Sequence, residues 1–105
     1  MNNAVELFTV VPKLHNCAQA VADGCGNKEL AEEMKPCGGG NAPEGRCGAL
    51  HAALAMTPEV CHEALIAEFV AVAQAPDCRS IKAHEPPTPC AECVRIAAEL
   101  VEKYR

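Results

Sequence analysis

The chain has 105 residues, a formal net charge of −5 and eight cysteines. With two Phe, one Tyr and no Trp, a domain of this size must build its core from small and aliphatic side chains, which suits helices. The basic residues are few and scattered and form no patch that could bind a phosphate backbone, so we expect no nucleic-acid partner.

The N-terminal segment carries no export signal. It lacks a basic n-region, a long apolar run and a cleavage site, and no segment reaches the roughly 20 apolar residues that span a bilayer. We therefore expect a cytoplasmic protein with no membrane partner. In a reducing cytosol, cysteines serve more often as metal ligands or redox-active groups than as permanent disulfides.

The first half of the chain predicts three helices followed by a glycine-rich loop. Asn16 and Asn27 each stand where an N-cap is expected, and Pro12 ends the first helix. The predicted ranges are Ala4–Val11, Cys17–Ala22 and Lys28–Lys35. Gly38–Gly40 is followed by Asn-Ala-Pro, without the Lys and hydroxyl residue of a phosphate-binding loop, so we expect no nucleotide site there.

The second half of the chain predicts three longer helices. Thr57 and Thr88 each precede a proline and are expected to cap the helix that follows. The predicted ranges are Glu44–Met56, Thr57–Gln74 and Cys90–Tyr104. The second of these is apolar nearly all round, which indicates a buried central helix. A proline-rich connector precedes the last helix and includes one short turn at Arg79–Ala83.

Together these elements indicate an all-α fold. We expect one domain over residues 1–105, folded as a compact bundle of about four to five helices with a Gly-rich loop and a Pro-rich connector. No alternating strand pattern is present. Because the chain has few large side chains, a homodimer that buries the first or last helix is compatible with the sequence.

Two local cysteine patterns point to chemistry. Cys90 and Cys93 form a C-x-x-C at a predicted helix start, where backbone N–H groups and the helix dipole favour thiolate. That spacing suits either a redox disulfide or two metal ligands. Cys47 and His51 are one turn apart, so the imidazole either activates the thiol, shares a metal with it, or simply shares a helix face. Cys61 lies on an apolar stripe and is expected to pack in the core.

A set of ordered motifs resembles a known family. The motifs are NCAQAV at 16–21, GGG at 38–40, CGA at 47–49, DCRS at 77–80 and CAECVRIAAELVEKY at 90–104. In this order they resemble a bacterial and archaeal family of redox-active proteins that is defined by four cysteines and a Cys-Gly-Ala-x-x-Gly motif. The resemblance covers nearly the whole chain, with Ala52 at the position of the last motif glycine.

The resemblance implies a shared site of four cysteines. Carried over residue by residue, they are Cys17, Cys47, Cys78 and Cys90. The family implies redox chemistry without choosing between disulfides and iron–sulfur binding. Four cysteines of this chain lie beyond the shared set, and they are Cys25, Cys37, Cys61 and Cys93.

Three functions stay open at this point. In the first, thiol–disulfide exchange, Cys90 attacks and Cys93 or another family cysteine resolves the mixed disulfide. In the second, an iron–sulfur cluster or a zinc ion is bound by four thiolates, those of Cys17, Cys47, Cys78 and Cys90. In the third, the cysteines form static disulfides or pack as small hydrophobes in a partner-binding protein. The sequence names no redox partner, and no Ser-His-Asp order or paired-carboxylate pocket indicates hydrolysis.

Overall fold

The prediction of an all-α bundle is confirmed. The computed structural model describes residues 3–9, 15–37, 45–85 and 87–105, and these form seven α-helices and no strand. The helices are α1 Ala4–Thr9, α2 Cys17–Gly24, α3 Lys28–Glu33, α4 Gly48–Ala55, α5 His62–Ala73, α6 Cys78–Ala83 and α7 Cys90–Tyr104. Two 3₁₀ turns, Lys35–Cys37 and Glu59–Cys61, precede α4 and α5. None of the described helices has the length and apolar content to cross a bilayer.

The most buried helix is α4. It packs against α2 and α7, and its alanines let the neighbouring helices approach closely. Leu50 is fully buried, which stabilises the fold by about 1.5–3 kcal/mol relative to an exposed side chain. The buried residues of α4 are Gly48, Ala49, Leu50, Ala52, Ala53 and Leu54.

The helix α5 is not the buried central helix that the sequence predicts. Only Leu65, Phe69 and Ala73 are buried on it, and they form one narrow stripe, while Val72 is 49% exposed. The prediction is wrong because α5 is rich in alanine, which counts as apolar in a pattern but is also common at the surface. Cys61, expected to extend this stripe into the core, is half-buried in the preceding 3₁₀ turn.

Neither Thr57 nor Thr88 caps the helix that follows it, which corrects the prediction. The Thr57 hydroxyl donates to the Ala53 carbonyl of α4 at 2.9 Å, and the Thr88 hydroxyl donates to the Ala73 carbonyl of α5 at 3.1 Å. Both threonines thus donate to a carbonyl in the last turn of an earlier helix, which is α4 for Thr57 and α5 for Thr88. The helices α5 and α7 begin without a side-chain cap.

Several predicted bounds shift or lie outside the described residues. The helix α4 begins at Gly48, later than the predicted start at Glu44, because Gly45 has a left-handed φ of 71° that an α-helix does not accept. Gly38–Gly40, Pro12 and Glu44 itself lie outside the described residues. The short turn predicted in the connector is part of α6, and α7 has the predicted bounds.

The two predicted asparagine caps are confirmed. The side-chain oxygen of Asn16 accepts from the N–H of Gln19 at 2.7 Å, and that of Asn27 accepts from the N–H of Leu30 at 3.0 Å. Each satisfies one N–H group that the helix leaves free, and such a cap stabilises a protein by about 1 kcal/mol. These caps fix where α2 and α3 begin.

Candidate functional site

Five cysteines line one small cavity. The cavity has a volume of about 40 Å³ and its five cysteines are Cys17, Cys47, Cys78, Cys90 and Cys93. All five are candidate residues from the sequence: four through the family resemblance and Cys93 through the C-x-x-C pattern. They belong to four separate segments of the chain, so the fold brings together thiols that are far apart in sequence.

Each of these segments presents a cysteine where a helix starts. Cys17, Cys78 and Cys90 are the first residues of α2, α6 and α7, and Cys47 is the N-cap residue of α4. Backbone N–H groups at a helix start lack partners within the helix and carry partial positive charge. At the start of α4 this charge favours the thiolate of Cys47 over its thiol.

The starts of α4 and α6 are tied together by backbone contacts. The N–H of Cys47 donates to the carbonyl of Pro76 at 2.9 Å, and Arg46 pairs with Asp77 in an isolated antiparallel β-bridge. Asp77 is also the N-cap residue of α6. These contacts hold Cys47 beside the segment that carries Cys78.

The start of α2 is fixed by Asn16. Besides the cap already described, the N–H of Asn16 donates to the side chain of Gln19 at 3.1 Å, which completes a capping box. The Asn16 amide also donates to the carbonyls of Met34 and Lys35 at 3.2 and 2.9 Å. Because these carbonyls follow α3, one side chain links the end of α3 to the helix start that carries Cys17.

The side chains of Cys47 and Cys93 interact with each other. The Cys93 thiol donates a hydrogen bond to the Cys47 sulfur, and the two residues are only 6% and 3% exposed. This hydrogen bond, helped by backbone N–H groups at the start of α4, lowers the pKa of Cys47 to about 7 although burial opposes it. The same hydrogen bond, together with burial and the neighbouring thiolates, raises the pKa of Cys93. Near neutral pH the pair therefore holds one thiolate and one thiol.

Lys82 is the cationic residue of the cavity wall. It lies one helical turn after Cys78 on α6, and the thiolates of Cys78, Cys90 and Cys17 raise its pKa, as does a hydrogen bond from its ammonium to the Cys78 sulfur. Lys82 is not among the residues predicted from the sequence. The i, i+4 spacing of a cysteine and a lysine was a usable signal, because such residues are neighbours on a helix surface.

The burial of the wall residues shows how the cavity meets solvent. Cys90 and Lys82 are exposed, whereas Cys47 and Cys93 are buried. The mouth of the cavity is therefore beside Cys90 and Lys82, and the buried pair lies at its inner end. The rest of the wall consists of Gly48, Ile81 and Thr88.

Other candidate residues lie outside the cavity wall. Cys25 is buried beneath α7, with its sulfur 3.9 Å from a backbone carbonyl of that helix, and burial raises its pKa. Cys61 and His51 do not line the cavity, so the Cys47–His51 arrangement considered from the sequence is not part of the site. The side chain of Cys37 lies outside the part of the chain that the structure describes.

The metal interpretation stays a prediction from the sequence. Within the described ranges, no three side chains of His, Cys, Asp or Glu are arranged to hold a metal ion. Cys17, Cys47, Cys78 and Cys90 share a cavity wall, but a zinc ion or an iron–sulfur cluster needs its thiolates at similar distances from one centre. In this arrangement Cys47 is instead engaged by the thiol of Cys93.

No protein-family model, no curated protein and no solved structure matches the chain. Membership of the four-cysteine family therefore stays a prediction from the ordered motifs, and function is inferred from the cavity and its thiols.

Proposed function

We propose that the protein is a thiol–disulfide redox protein whose working pair is Cys47 and Cys93. The observation that carries this proposal is the hydrogen bond between the two buried sulfurs, because a pair in contact needs little movement to form a disulfide. One member is a thiolate, which is the nucleophile in thiol–disulfide exchange. The resemblance to the four-cysteine redox family supports the same function.

Cys90 is proposed as the thiol that meets the partner. It is exposed at the start of α7, and it is close enough to Lys82 for an electrostatic interaction between the two side chains. The disulfide of a second molecule reaches this exposed sulfur but not the buried pair. Cys93 lies one turn further along α7, within reach of Cys90. A disulfide formed at the exposed Cys90 can therefore be transferred to the buried Cys93. A reducing cytoplasm would keep the starting thiols reduced.

The exchange proceeds in three balanced steps. First, the Cys90 thiolate attacks the partner disulfide, forms a mixed disulfide and releases one partner thiolate. Second, Cys93 loses its proton to that thiolate and attacks Cys90, which releases the second partner thiolate and leaves a Cys90–Cys93 disulfide. Third, the Cys47 thiolate attacks Cys93, forms the Cys47–Cys93 disulfide and frees Cys90. The partner gains two electrons and the buried pair supplies them.

The test is to equilibrate the protein in glutathione buffers of different redox poise and to identify the disulfides by mass spectrometry. We expect a reversible Cys47–Cys93 disulfide to dominate. Cys90→Ser should slow the formation of this disulfide while leaving its reduction potential nearly unchanged. Cys61→Ser serves as the matched control outside the cavity. A dominant disulfide that joins cysteines outside the cavity would contradict the proposal.

Measurements on protein prepared without oxygen test the alternative that the cavity cysteines bind a metal. Iron, zinc, acid-labile sulfide and free thiols are measured on one sample. Free thiols at all five cavity cysteines agree with the exchange proposal. Stoichiometric metal bound through Cys47 would contradict it, because a coordinated thiolate is not free to attack.

A further inference from the structure

The cavity is too small to admit a disulfide of another molecule. Its volume is about 40 Å³, and one water-sized probe needs roughly 10–15 Å³, so the cavity holds a molecule of about three or four non-hydrogen atoms at most. Cys47 and Cys93 at its inner end are 6% and 3% exposed. An oxidant that reaches this pair directly must therefore be very small.

The wall also limits the chemistry of that oxidant. Apart from the thiols, its polar side-chain groups are the Lys82 ammonium and the Thr88 hydroxyl, while Gly48 and Ile81 offer none. The Thr88 hydroxyl already donates to the Ala73 carbonyl and accepts from the Gln74 side chain, so the Lys82 ammonium is the group that offers a hydrogen bond to an oxidant with an acceptor oxygen. Positive charge from Lys82 and from the start of α4 also stabilises a hydroxide that leaves beside Cys47. Hydrogen peroxide, with two oxygen atoms, meets the limits of both size and polarity.

We propose that hydrogen peroxide enters the cavity and oxidises Cys47, and that Cys93 resolves the product. The Cys47 thiolate attacks one oxygen, the O–O bond breaks, and the hydroxide that leaves takes a proton from solvent to become water, so that Cys47 becomes a sulfenic acid. The Cys93 sulfur then attacks the Cys47 sulfur, the S–O bond breaks, and a second water leaves with the Cys93 proton. Peroxide is reduced by two electrons, which the sulfurs of Cys47 and Cys93 supply as they are oxidised to the disulfide.

This activity rests on the redox pair of the proposed function, but it needs no partner protein. The interaction between the two thiols gives Cys93 its role, because the resolving thiol is already hydrogen-bonded to the sulfur that is oxidised. A sulfenic acid formed there is converted to a disulfide before further peroxide can oxidise it. The small volume of the cavity makes the site selective for the smallest hydroperoxide.

The experiment compares three oxidants on the reduced full-length protein. Samples prepared without oxygen receive equimolar hydrogen peroxide, tert-butyl hydroperoxide or glutathione disulfide, and mass spectrometry follows the state of each cysteine over time. We expect hydrogen peroxide to form the Cys47–Cys93 disulfide. With tert-butyl hydroperoxide the rate of disulfide formation should be at most about one tenth of that rate, because extra methyl groups do not fit a packed site. In Cys93→Ser, peroxide should leave Cys47 as a sulfenic or sulfinic acid, whereas Cys61→Ser should behave as the wild type.

The outcomes separate this inference from the proposed function. Equal rates with the two hydroperoxides, or faster oxidation of Cys61 than of Cys47, overturn the peroxide site even when glutathione disulfide still forms the pair. Failure of all three oxidants to join Cys47 to Cys93 overturns both proposals. The comparison of the two hydroperoxides uses the wild-type chain, so it does not depend on the folding of a variant.

Discussion

The thiol of Cys93 donates a hydrogen bond to the sulfur of Cys47, and both residues are almost completely buried. The contact makes two cysteines of one cavity chemically unequal, because the acceptor is stabilised as a thiolate while the donor keeps its proton. Two cysteines that only filled space in the core would not need different pKa values. The difference between the pKa of Cys47 and that of Cys93 is therefore the property to measure first.

Replacing Cys93 tests the origin of the low pKa of Cys47. Cys93→Ala removes the donor and should raise the pKa of Cys47 by about 1–2, the equivalent of one hydrogen bond to a charged group. Cys93→Ser keeps a donor and should restore most of the effect. The measurement is the rate of alkylation of Cys47 by iodoacetamide as a function of pH, read at that residue by mass spectrometry. Identical pH profiles in the two variants would contradict the role given to the hydrogen bond.

The charge of Lys82 should have a smaller effect on the same profile. Its ammonium lowers the pKa of Cys47, but it is exposed and therefore screened, so Lys82→Gln should raise that pKa by no more than about 0.7. The difference between Lys82→Gln and wild type should shrink at high salt. Arg79→Gln is the matched control, since Arg79 is an exposed cation on the same helix that does not line the cavity. An equal effect of both variants would mean that net charge alone is responsible.

Oxidation should stabilise the fold. A disulfide between Cys47 and Cys93 closes a long loop of the chain, and the loss of unfolded-state entropy stabilises the folded state by about 4 kcal/mol. Urea unfolding of oxidised and reduced protein measures the difference. The gain should vanish in Cys93→Ser and persist in Cys61→Ser. A gain that persists in Cys93→Ser would assign the disulfide to other cysteines.

Two asparagine caps provide a matched test of how α2 is held. Asn27→Ala removes one cap and should cost about 1 kcal/mol. Asn16→Ala removes a cap and the bonds to the carbonyls of Met34 and Lys35, so it should cost about 2–3 kcal/mol. The free energy of unfolding in urea is the measurement. Equal costs would show that the link from α2 to the end of α3 contributes nothing to stability.

Local signals explain what the sequence predicts correctly. The caps at Asn16 and Asn27 and the start of α7 at Cys90 depend on residues within one turn, which a sequence shows directly. The same local rule fails at Thr57 and Thr88, because a threonine hydroxyl can donate to a carbonyl at the end of an earlier helix instead of capping the helix that follows. A sequence pattern does not distinguish these two partners.

Packing between distant helices explains what the sequence leaves open. The C-x-x-C pattern favours Cys90 as the partner of Cys93, whereas the packing of α4 against α7 supplies Cys47 as its hydrogen-bond partner. Lys82 reaches the cavity because α6 is placed there by the contacts of Arg46 with Asp77. The i, i+4 spacing pairs Lys82 with Cys78 in the sequence, but no spacing shows that this pair reaches the cavity or that Cys47 meets Cys93.

The burial of Cys25 beneath α7 supplies an internal reporter of how firmly that helix is docked. Its sulfur faces the carbonyl of Ala98, and Arg105, just after the helix, donates to the carbonyl of Cys25 at 2.6 Å. A thiol reagent reaches this sulfur only when α7 lifts away, so the labelling rate of Cys25 measures the free energy of that local opening. Since α7 also carries Cys90 and Cys93, the labelling rate of Cys25 reports the motion of the helix that holds two of the proposed redox cysteines.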